Sequence, residues 1–244
     1  MNLAEKYYQT VKGQIEALGT SQMAQIETAA GGFAEAMNAG RLVYIFGTGH
    51  SHMLAEELFY RAGGLARVVP MLHPPLMLHE SASTSTQAER DPDVVEELLK
   101  QYPMTKGDVL VVASNSGRNA CPIELAIAAE ERSVRTIAVL NAEHSAKWAS
   151  RHLSGKRLGD VVELVIDNCG VEGDACVPLP RSDLFVGATS TVTGCIIMQM
   201  IACRVSEMLN ASGRQPELYQ SSNANHDERN AALIAEYKPT NPHL

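Results

Sequence analysis

Two short loops contain the residues of this chain whose types and spacing could perform chemistry. They are Gly47-Thr48-Gly49-His50-Ser51 and Ser114-Asn115-Ser116-Gly117, and both combine glycine with hydroxyl side chains. Each follows an apolar run typical of a strand (residues 42–46 and 108–113) and leads into a stretch with helical spacing. Such a turn leaves backbone N–H groups unpaired and points a helix N-terminus at a ligand. That arrangement favours an anion, most often phosphate.

The residue types in the two loops restrict the kind of ligand that they could bind. Glycines permit close approach of the backbone, and hydroxyl groups come from Thr48, Ser51, Ser114 and Ser116. No lysine adjoins either loop, so the nucleotide-binding pattern Gly-x-x-x-x-Gly-Lys is absent. The dinucleotide pattern Gly-x-Gly-x-x-Gly is also incomplete, because His52 stands where its last glycine would be. We therefore expect a small phosphate monoester, with no cofactor, bound by Gly47, Thr48, Gly49, Ser51, Ser114, Asn115, Ser116 and Gly117.

Strand and helix patterns alternate along the chain. Apolar positions three and four apart predict two helices over residues 3–38, broken near Gly19. Further helices are predicted at 51–63, 91–101, 120–132, 186–210 and 228–237, and strands at 42–46, 66–71, 108–113, 136–140 and 161–166. The polar stretch 79–90 is predicted to be a loop. We expect a helical segment 1–40, an α/β domain 41–213 and an irregular tail 214–244.

Alternation of β-branched strands with helices predicts a five-stranded parallel sheet covered on both faces. In the flavodoxin-like order 2-1-3-4-5, strands one and three are neighbours and form the topological switch point, where such sheets bind ligands. The two loops follow these two strands. Topology and motif therefore predict the same site.

The overall composition argues against several classes of protein. The formal net charge is −8, from 20 Lys+Arg and 28 Asp+Glu, which argues against a nucleic-acid partner. No apolar run reaches the roughly 20 residues of a membrane span. Five cysteines without Cys-x-x-Cys spacing indicate a reducing, cytoplasmic environment rather than disulfides or a zinc cage.

At the two loops the chain resembles the sugar isomerase (SIS) domain family, which pairs a Gly-x-Gly-x-Ser loop with a Ser-x-Ser-Gly loop. The similarity covers about residues 35–210, and Gly173-Asp174-Ala175 with Ser190-Thr191 resembles a branch whose members have been labelled phosphoheptose isomerases. The resemblance implies a sugar phosphate ligand, with Ser51, Ser114 and Ser116 on the phosphate. It also implies a homodimer or homotetramer, in which the C-terminal tail completes a neighbouring subunit's site.

Isomerisation of a sugar needs a base for the C2 proton and an acid for the carbonyl oxygen or the ring, and Glu and His are the usual groups. Glu80, shortly after strand two, is the first candidate, although it could equally cap a turn. Glu56 or Glu57 at the start of the first βα helix is the next, with one of them facing the pocket. His50 could lie over the sugar. By analogy with a C-terminal histidine of several SIS enzymes, His226 or Asp227 could open the ring.

Alternatives remain at this stage. The His50-x-His52 spacing, with His73 and His79 as further ligands, raises a metal site, but no carboxylate stands at a matching spacing. The expected function is an aldose–ketose isomerase acting through an enediol with a Glu base. A phosphosugar lyase or etherase and a non-catalytic phosphosugar-binding module are the other hypotheses.

Overall fold

Five runs of buried apolar residues form one parallel sheet in the order β2-β1-β3-β4-β5, which confirms the predicted topology. The structure is a computed structural model and describes every residue from Met1 to Leu244. The strands are β1 (Val43–Gly47), β2 (Val68–Met71), β3 (Val109–Ala113), β4 (Arg135–Leu140) and β5 (Leu164–Asp167). The helices are α1 (Leu3–Ser21), α2 (Met23–Asn38), α3 (Met53–Leu58), α4 (Ala82–Ala88), α5 (Val94–Gln101), α6 (Ala120–Glu131), α7 (Ala142–Lys147), α8 (Ser190–Ala211) and α9 (Asp227–Tyr237).

The sheet separates two hydrophobic cores because successive side chains of a strand point to opposite faces. In β1, Val43 and Ile45 pack with α2, α3 and α8, in a cluster of 27 buried residues. Tyr44 and Phe46 pack on the other face with α5 and α6, in a cluster of 23. Helices therefore cover both faces, as expected for a parallel sheet buried between two layers.

The first two helices meet at Gln22 and not near Gly19, where the sequence predicted the break. Gly19 continues α1, and Gln22 leaves the helical region with φ −112° and ψ 2°. A single glycine costs a helix only about 1 kcal/mol, and the buried Leu18 holds this turn against the core. The start of α1 has a capping box between Asn2 and Glu5.

The predicted loop 79–90 contains a helix, α4, so that part of the prediction was wrong. Ser81 accepts a hydrogen bond from the Thr84 amide as the N-cap, and the Ser85 hydroxyl donates to the Leu76 carbonyl over 2.7 Å. A run of Ser and Thr carries no apolar periodicity to indicate a helix. Local capping and docking on the 3₁₀ turn Pro74–Leu76 decide its conformation.

The predicted helix 186–210 begins later, because a β-hairpin precedes it. Strands β6 (Ala175–Pro178) and β7 (Phe185–Ala188) pair antiparallel, and α8 starts at Ser190. Gly187 has φ +83°, and an added Cβ would lie 2.6 Å from Tyr7 of α1, so this backbone position favours glycine. Three other elements differ from the prediction. The helix predicted at 51–63 is a 3₁₀ turn (Gly49–His52) followed by the short α3. Strand β5 begins at Leu164 rather than at residue 161, and α7 was not predicted.

Helix α8 has the length and the mean hydropathy, 1.4, of a membrane span. It packs instead along α2 and α3, and 44% of the apolar window is buried inside the protein. The same composition suits the central helix of a hydrophobic core, and α8 has that position here.

The C-terminal tail is ordered on its own subunit. The backbone of residues 217–219 pairs with that of residues 63–66, and Glu217 binds Arg67 over 2.8 Å. A small cluster of Ala66, Tyr219, Leu233 and Tyr237 fixes α9 on this edge of the sheet. Outside α9 and the 3₁₀ turn Ser222–Ala224 the tail forms no helix or strand, as the sequence predicted, and an isolated antiparallel bridge between Leu65 and Leu218 attaches it beside β2.

Candidate functional site

The two glycine- and serine-containing loops leave the sheet side by side. Strands β1 and β3 are parallel neighbours, and Gly47 stands opposite Ala113 in their register. Adjacent strands lie about 4.8 Å apart, so the residues that follow Gly47 and Ala113 begin at neighbouring points of the carboxyl edge. This is the switch point of the 2-1-3-4-5 order, where open α/β sheets bind ligands.

The first loop is shaped by backbone contact. An added Cβ at Gly47 would lie 2.4 Å from the carbonyl carbon of Ser51, so only glycine fits without movement of the turn. Gly49 has φ +54° and begins the 3₁₀ turn Gly49–His52, in which the Ser51 amide donates to the Thr48 carbonyl over 3.0 Å. The Ser51 hydroxyl makes no hydrogen bond within the chain and is available to a ligand.

The second loop is held by polar side chains. The Gly117 amide donates to the Ser114 hydroxyl oxygen over 3.2 Å, and Gly117 has φ +57°. Buried Asn168, after β5, donates from Nδ2 to Oδ1 of Asn115 over 2.8 Å. Asn115 also accepts at its carbonyl from the Asn141 amide over 3.0 Å. Loops after three strands, β3, β4 and β5, are therefore tied together at this edge.

Residues from both loops line one small polar cleft. Ser51 comes from the first loop and Ser114 and Asn115 from the second, and the remaining polar lining is Asn168, Ser190 and Thr191. Ser190 and Thr191 form the first turn of α8, whose N-terminal amides add positive potential. Hydroxyl groups of both loops and the first turn of α8 thus surround one position; because Asp174 occupies the amide and hydroxyl of Ser190, the loop groups and the later amides of that turn are the donors left for an oxyanion.

Asp174 holds the N-terminus of α8, which forms the side of the cleft that the two loops do not. Its Oδ1 accepts from the amides of Thr189 and Ser190 over 2.9 and 2.7 Å, and its Oδ2 accepts from the Ser190 hydroxyl over 2.7 Å. The carboxylate therefore caps the start of α8. These contacts support a structural role for Asp174.

The remaining phosphate-loop candidates lie around this cleft rather than inside it. Thr48 is buried and donates from Oγ1 to Oε2 of Glu89 over 2.9 Å. Gly117 packs on the Ser145 hydroxyl and the Leu140 side chain. Ser116 is half-buried and makes no internal side-chain hydrogen bond.

Glu89 was not singled out from the sequence. It follows α4, and it is the carboxylate that hydrogen bonds to either loop. The only available signal was its place in the polar stretch after strand two, which it shares with Glu80. Because that stretch folds as a helix rather than a loop, Glu89 and not Glu80 reaches Thr48.

None of the predicted acid–base residues lines the cleft, which holds neither Glu80, His50 and His226 nor Glu56, Glu57 and Asp227. Glu80 and His50 are exposed, and Glu80 lies 3.9 Å from His79. Glu57 faces away from the cleft: it accepts from Gln199 over 2.9 Å and from Arg61 over 2.7 Å, on the side where α3 meets α8. His226 is exposed at the N-terminus of α9.

The histidines of the first loop do not form a metal cluster. His52 is buried, hydrogen bonded through Nδ1 to the Gly49 carbonyl and 3.5 Å from Glu56, and its ring meets that of His79 edge-on at 5.9 Å. His73 turns instead to Gln101 and Glu97. No group of three or more His, Cys, Asp or Glu side chains is arranged to hold a metal ion.

Comparison with known proteins gives a family for this fold and site. The SIS domain model matches residues 6–141. The UPF0309 protein lin2794 of Listeria innocua is 42% identical over 212 residues, which cover 86% of each chain. A phosphoheptose isomerase from Francisella tularensis has the same fold, with a TM-score of 0.56 at 16% identity over 85% of this chain and 100% of that one.

A further structure, the NanR protein of Vibrio vulnificus complexed with ManNAc-6P, has a TM-score of 0.50 at 13% identity, covering 100% of this chain and 70% of that one. The family match covers more than half of this chain, and the fold likeness extends beyond it to the sheet order and the flanking helices. The chain belongs to the SIS domain family.

Proposed function

We propose that this protein binds a sugar phosphate at the cleft between its two loops and interconverts the aldose and ketose forms of that sugar. The observation that carries the proposal is the meeting of Ser51, Ser114 and Asn115 with the N-terminus of α8 at the topological switch point. Likeness in fold to a phosphoheptose isomerase and to a protein complexed with ManNAc-6P supports it.

Isomerisation through an enediol is redox-neutral and needs one proton relay. A carboxylate removes the C2 proton while an acid protonates the carbonyl oxygen at C1, which gives the enediol. The protonated carboxyl group then delivers its proton to C1 while the hydroxyl at C2 returns a proton to the acid and becomes the ketone. We propose Glu89 as the base, because its carboxylate is bound to Thr48 at the edge of the phosphate loop. Glu80, exposed on the same segment, is the alternative base, and Glu57 is disfavoured by its bonds to Arg61 and Gln199.

The acid is proposed among the histidines. His50 is exposed in the first loop, beside Ser51, and we propose it as the acid at the sugar end of a bound phosphate ester. His226 is exposed before α9 and does not line the cleft of its own chain, so we propose a role for it only in the cleft of a partner subunit. The tail 214–244 would then serve a partner's site through its exposed residues while its apolar residues stay on the parent subunit.

The test is turnover of a panel of aldose and ketose phosphates by wild type, Glu89→Gln and Glu80→Gln. General base catalysis contributes about 10²- to 10⁴-fold, so Glu89→Gln is expected to lose at least about 100-fold in kcat with little change in phosphate affinity. Glu131→Gln, an exposed carboxylate at the far end of α6, is the matched control. Loss of kcat in Glu80→Gln alone would move the base to Glu80.

Product mass separates isomerisation from elimination. An isomerase leaves the mass of the sugar phosphate unchanged, whereas a lyase or etherase that eliminates across C2–C3 releases a fragment. Tight binding without turnover of any substrate would instead indicate a phosphosugar-binding module.

We also propose a cytoplasmic homodimer or homotetramer. Support for assembly comes from an apolar groove between α2 and α8, lined among others by Met23, Ile26, Ile196 and Met200. The five cysteines are all free, which suits a reducing compartment. Sedimentation velocity over a range of concentrations measures the mass, and a monomer at all of them would refute this assembly.

A further inference from the structure

Arg118 directly follows the second loop, and Arg118 and Arg90 lie close enough to Arg151 for their charges to act on it. Arg118 follows Gly117 directly, and its carbonyl accepts from the Arg151 amide over 2.8 Å. The Arg151 guanidinium donates to Oδ1 of buried Asn119 over 2.7 Å. Arg90 follows Glu89, the carboxylate bound to Thr48. Three segments that are far apart in sequence thus bring three positive charges close together.

None of these guanidinium groups has a carboxylate within ion-pairing distance, although the chain carries 28 Asp and Glu residues and a net charge of −8. Two acidic side chains of this region hydrogen bond elsewhere: Glu89 accepts from Thr48, although its charge also attracts Arg151, and Asp91 accepts from the Asp93 amide over 2.9 Å. Desolvation and the charges of Arg118 and Arg90 lower the pKa of Arg151 and outweigh the opposing charge of Glu89.

Arg118 is the most confined of the three. It is half-buried, its guanidinium carbon lies 5.8 Å from the centre of the Trp148 ring, and its Nε is buried without a hydrogen-bond partner. An arginine held against an aromatic face keeps its planar fork oriented, which suits bidentate binding of a carboxylate or a phosphate. Three guanidinium groups with one carboxylate, Glu89, acting on them leave an excess of positive charge, which an anion bound between them would offset.

We propose that the substrate carries a second anionic group, a carboxylate or a second phosphate, which Arg118 binds together with Arg90 and Arg151. The inference rests on the proposed function, because the first phosphate is assigned to the cleft of Ser51 and Ser114. The substrate class is therefore a sugar phosphate with an acidic substituent or a sugar bisphosphate, rather than a neutral sugar monophosphate.

The experiment measures affinity by titration calorimetry at fixed ionic strength for glucose 6-phosphate, 6-phosphogluconate and fructose 1,6-bisphosphate. We expect one or both of the last two to bind at least about tenfold more tightly than the first, as a charge-assisted pair allows. Preference for 6-phosphogluconate indicates a carboxylate, and preference for the bisphosphate a second phosphate. Trp148, the only tryptophan, offers a second readout, since a ligand on Arg118 changes the surroundings of its ring.

Variants separate this subsite from the phosphate cleft. Arg118→Gln should abolish the tenfold preference and leave glucose 6-phosphate affinity within about twofold, while Arg118→Lys should recover only part of it because lysine lacks the fork. Arg90→Gln, at an exposed position, tests the same subsite without a packing change, and Arg41→Gln is the charge-matched control at the opposite edge of the sheet.

Equal affinity for all three ligands in wild type, unaltered in Arg118→Gln and Arg90→Gln, overturns the second subsite and leaves the phosphosugar proposal standing. Binding of none of them overturns both. Equal loss of all three ligands in Arg118→Gln assigns the arginine to the first phosphate and also overturns the second subsite.

Discussion

The two loops of the site are held in their conformations by different physical interactions. The loop after β1 is specified by lack of space: Gly47 has no room for a Cβ, and its Ser51 hydroxyl stays free. The loop after β3 is specified by polar side chains, through Ser114, Asn115 and Asn168. In the first loop, glycine determines the backbone shape and the Ser51 hydroxyl has no partner within the chain. In the second loop, some of the polar groups form the hydrogen bonds that stabilise the loop.

The largest effect should come from the sterically defined loop. Gly47→Ala places a Cβ 2.4 Å from backbone atoms of Ser51, which cannot rotate away as a side chain would. We expect a loss of about 3 kcal/mol in the free energy of unfolding, at the upper end of overpacking costs, measured by urea denaturation. Gly13→Ala in α1, with nothing within 4 Å of the new Cβ, is the control and should be neutral or slightly stabilising. Equal stability of the two variants would show that the first loop adapts.

A smaller loss should follow from breaking the polar network of the second loop. Asn168→Ala removes the donor to Asn115 and the acceptor of the Gly170 amide in a buried place. Groups left unpaired there cost about 2 kcal/mol, observable as a lower denaturation midpoint with an unchanged slope. Asn210→Ala, exposed near the end of α8, serves as the comparison and should change stability by less than about 0.5 kcal/mol. A network variant no less stable than this control would mean that ordered water replaces the amide.

The smallest effects should distinguish the two serines. Ser114→Ala removes one of the two acceptors of the Gly117 amide, whose bond to the Ser114 carbonyl over 3.1 Å remains, and should lower stability by about 0.5 to 1 kcal/mol together with phosphate affinity. Ser51→Ala deletes a hydroxyl with no internal partner, so we expect unchanged stability and roughly fivefold weaker binding of a sugar phosphate, from the loss of one hydrogen bond. Thermal denaturation with and without ligand measures both quantities. A destabilised Ser51→Ala would remove the distinction between the loops.

Prediction from sequence worked where the signal is local. Buried runs such as Val109–Ala113 identify strands, and the turns of glycine and serine after two neighbouring strands come together as the sequence predicted. It failed where a segment has no periodicity: α4 is almost all Ser, Thr and Ala, and its helix depends on a cap at Ser81 and a contact with Leu76. The choice between Glu80 and Glu89 depended on that helix.

The β6–β7 hairpin was missed for a related reason. Residues 175–188 are short and mixed in polarity, and their strands are stabilised by Tyr7 of α1, whose hydroxyl donates to the Ala188 carbonyl over 3.0 Å. A contact between residues 181 positions apart leaves no pattern in either segment. The break between α1 and α2 at Gln22 is likewise a matter of how Leu18 packs.

The sequence alone determined a parallel α/β sheet with two glycine- and serine-containing turns after adjacent strands, because apolar periodicity and glycine stereochemistry act within a few residues. Only the tertiary structure decided which carboxylate meets the loops and which arginines share their rim. Glu89, Arg118 and Arg151 converge through the docking of α4 and of the segment after α7, and such docking depends on surfaces that are contiguous in space and scattered along the chain.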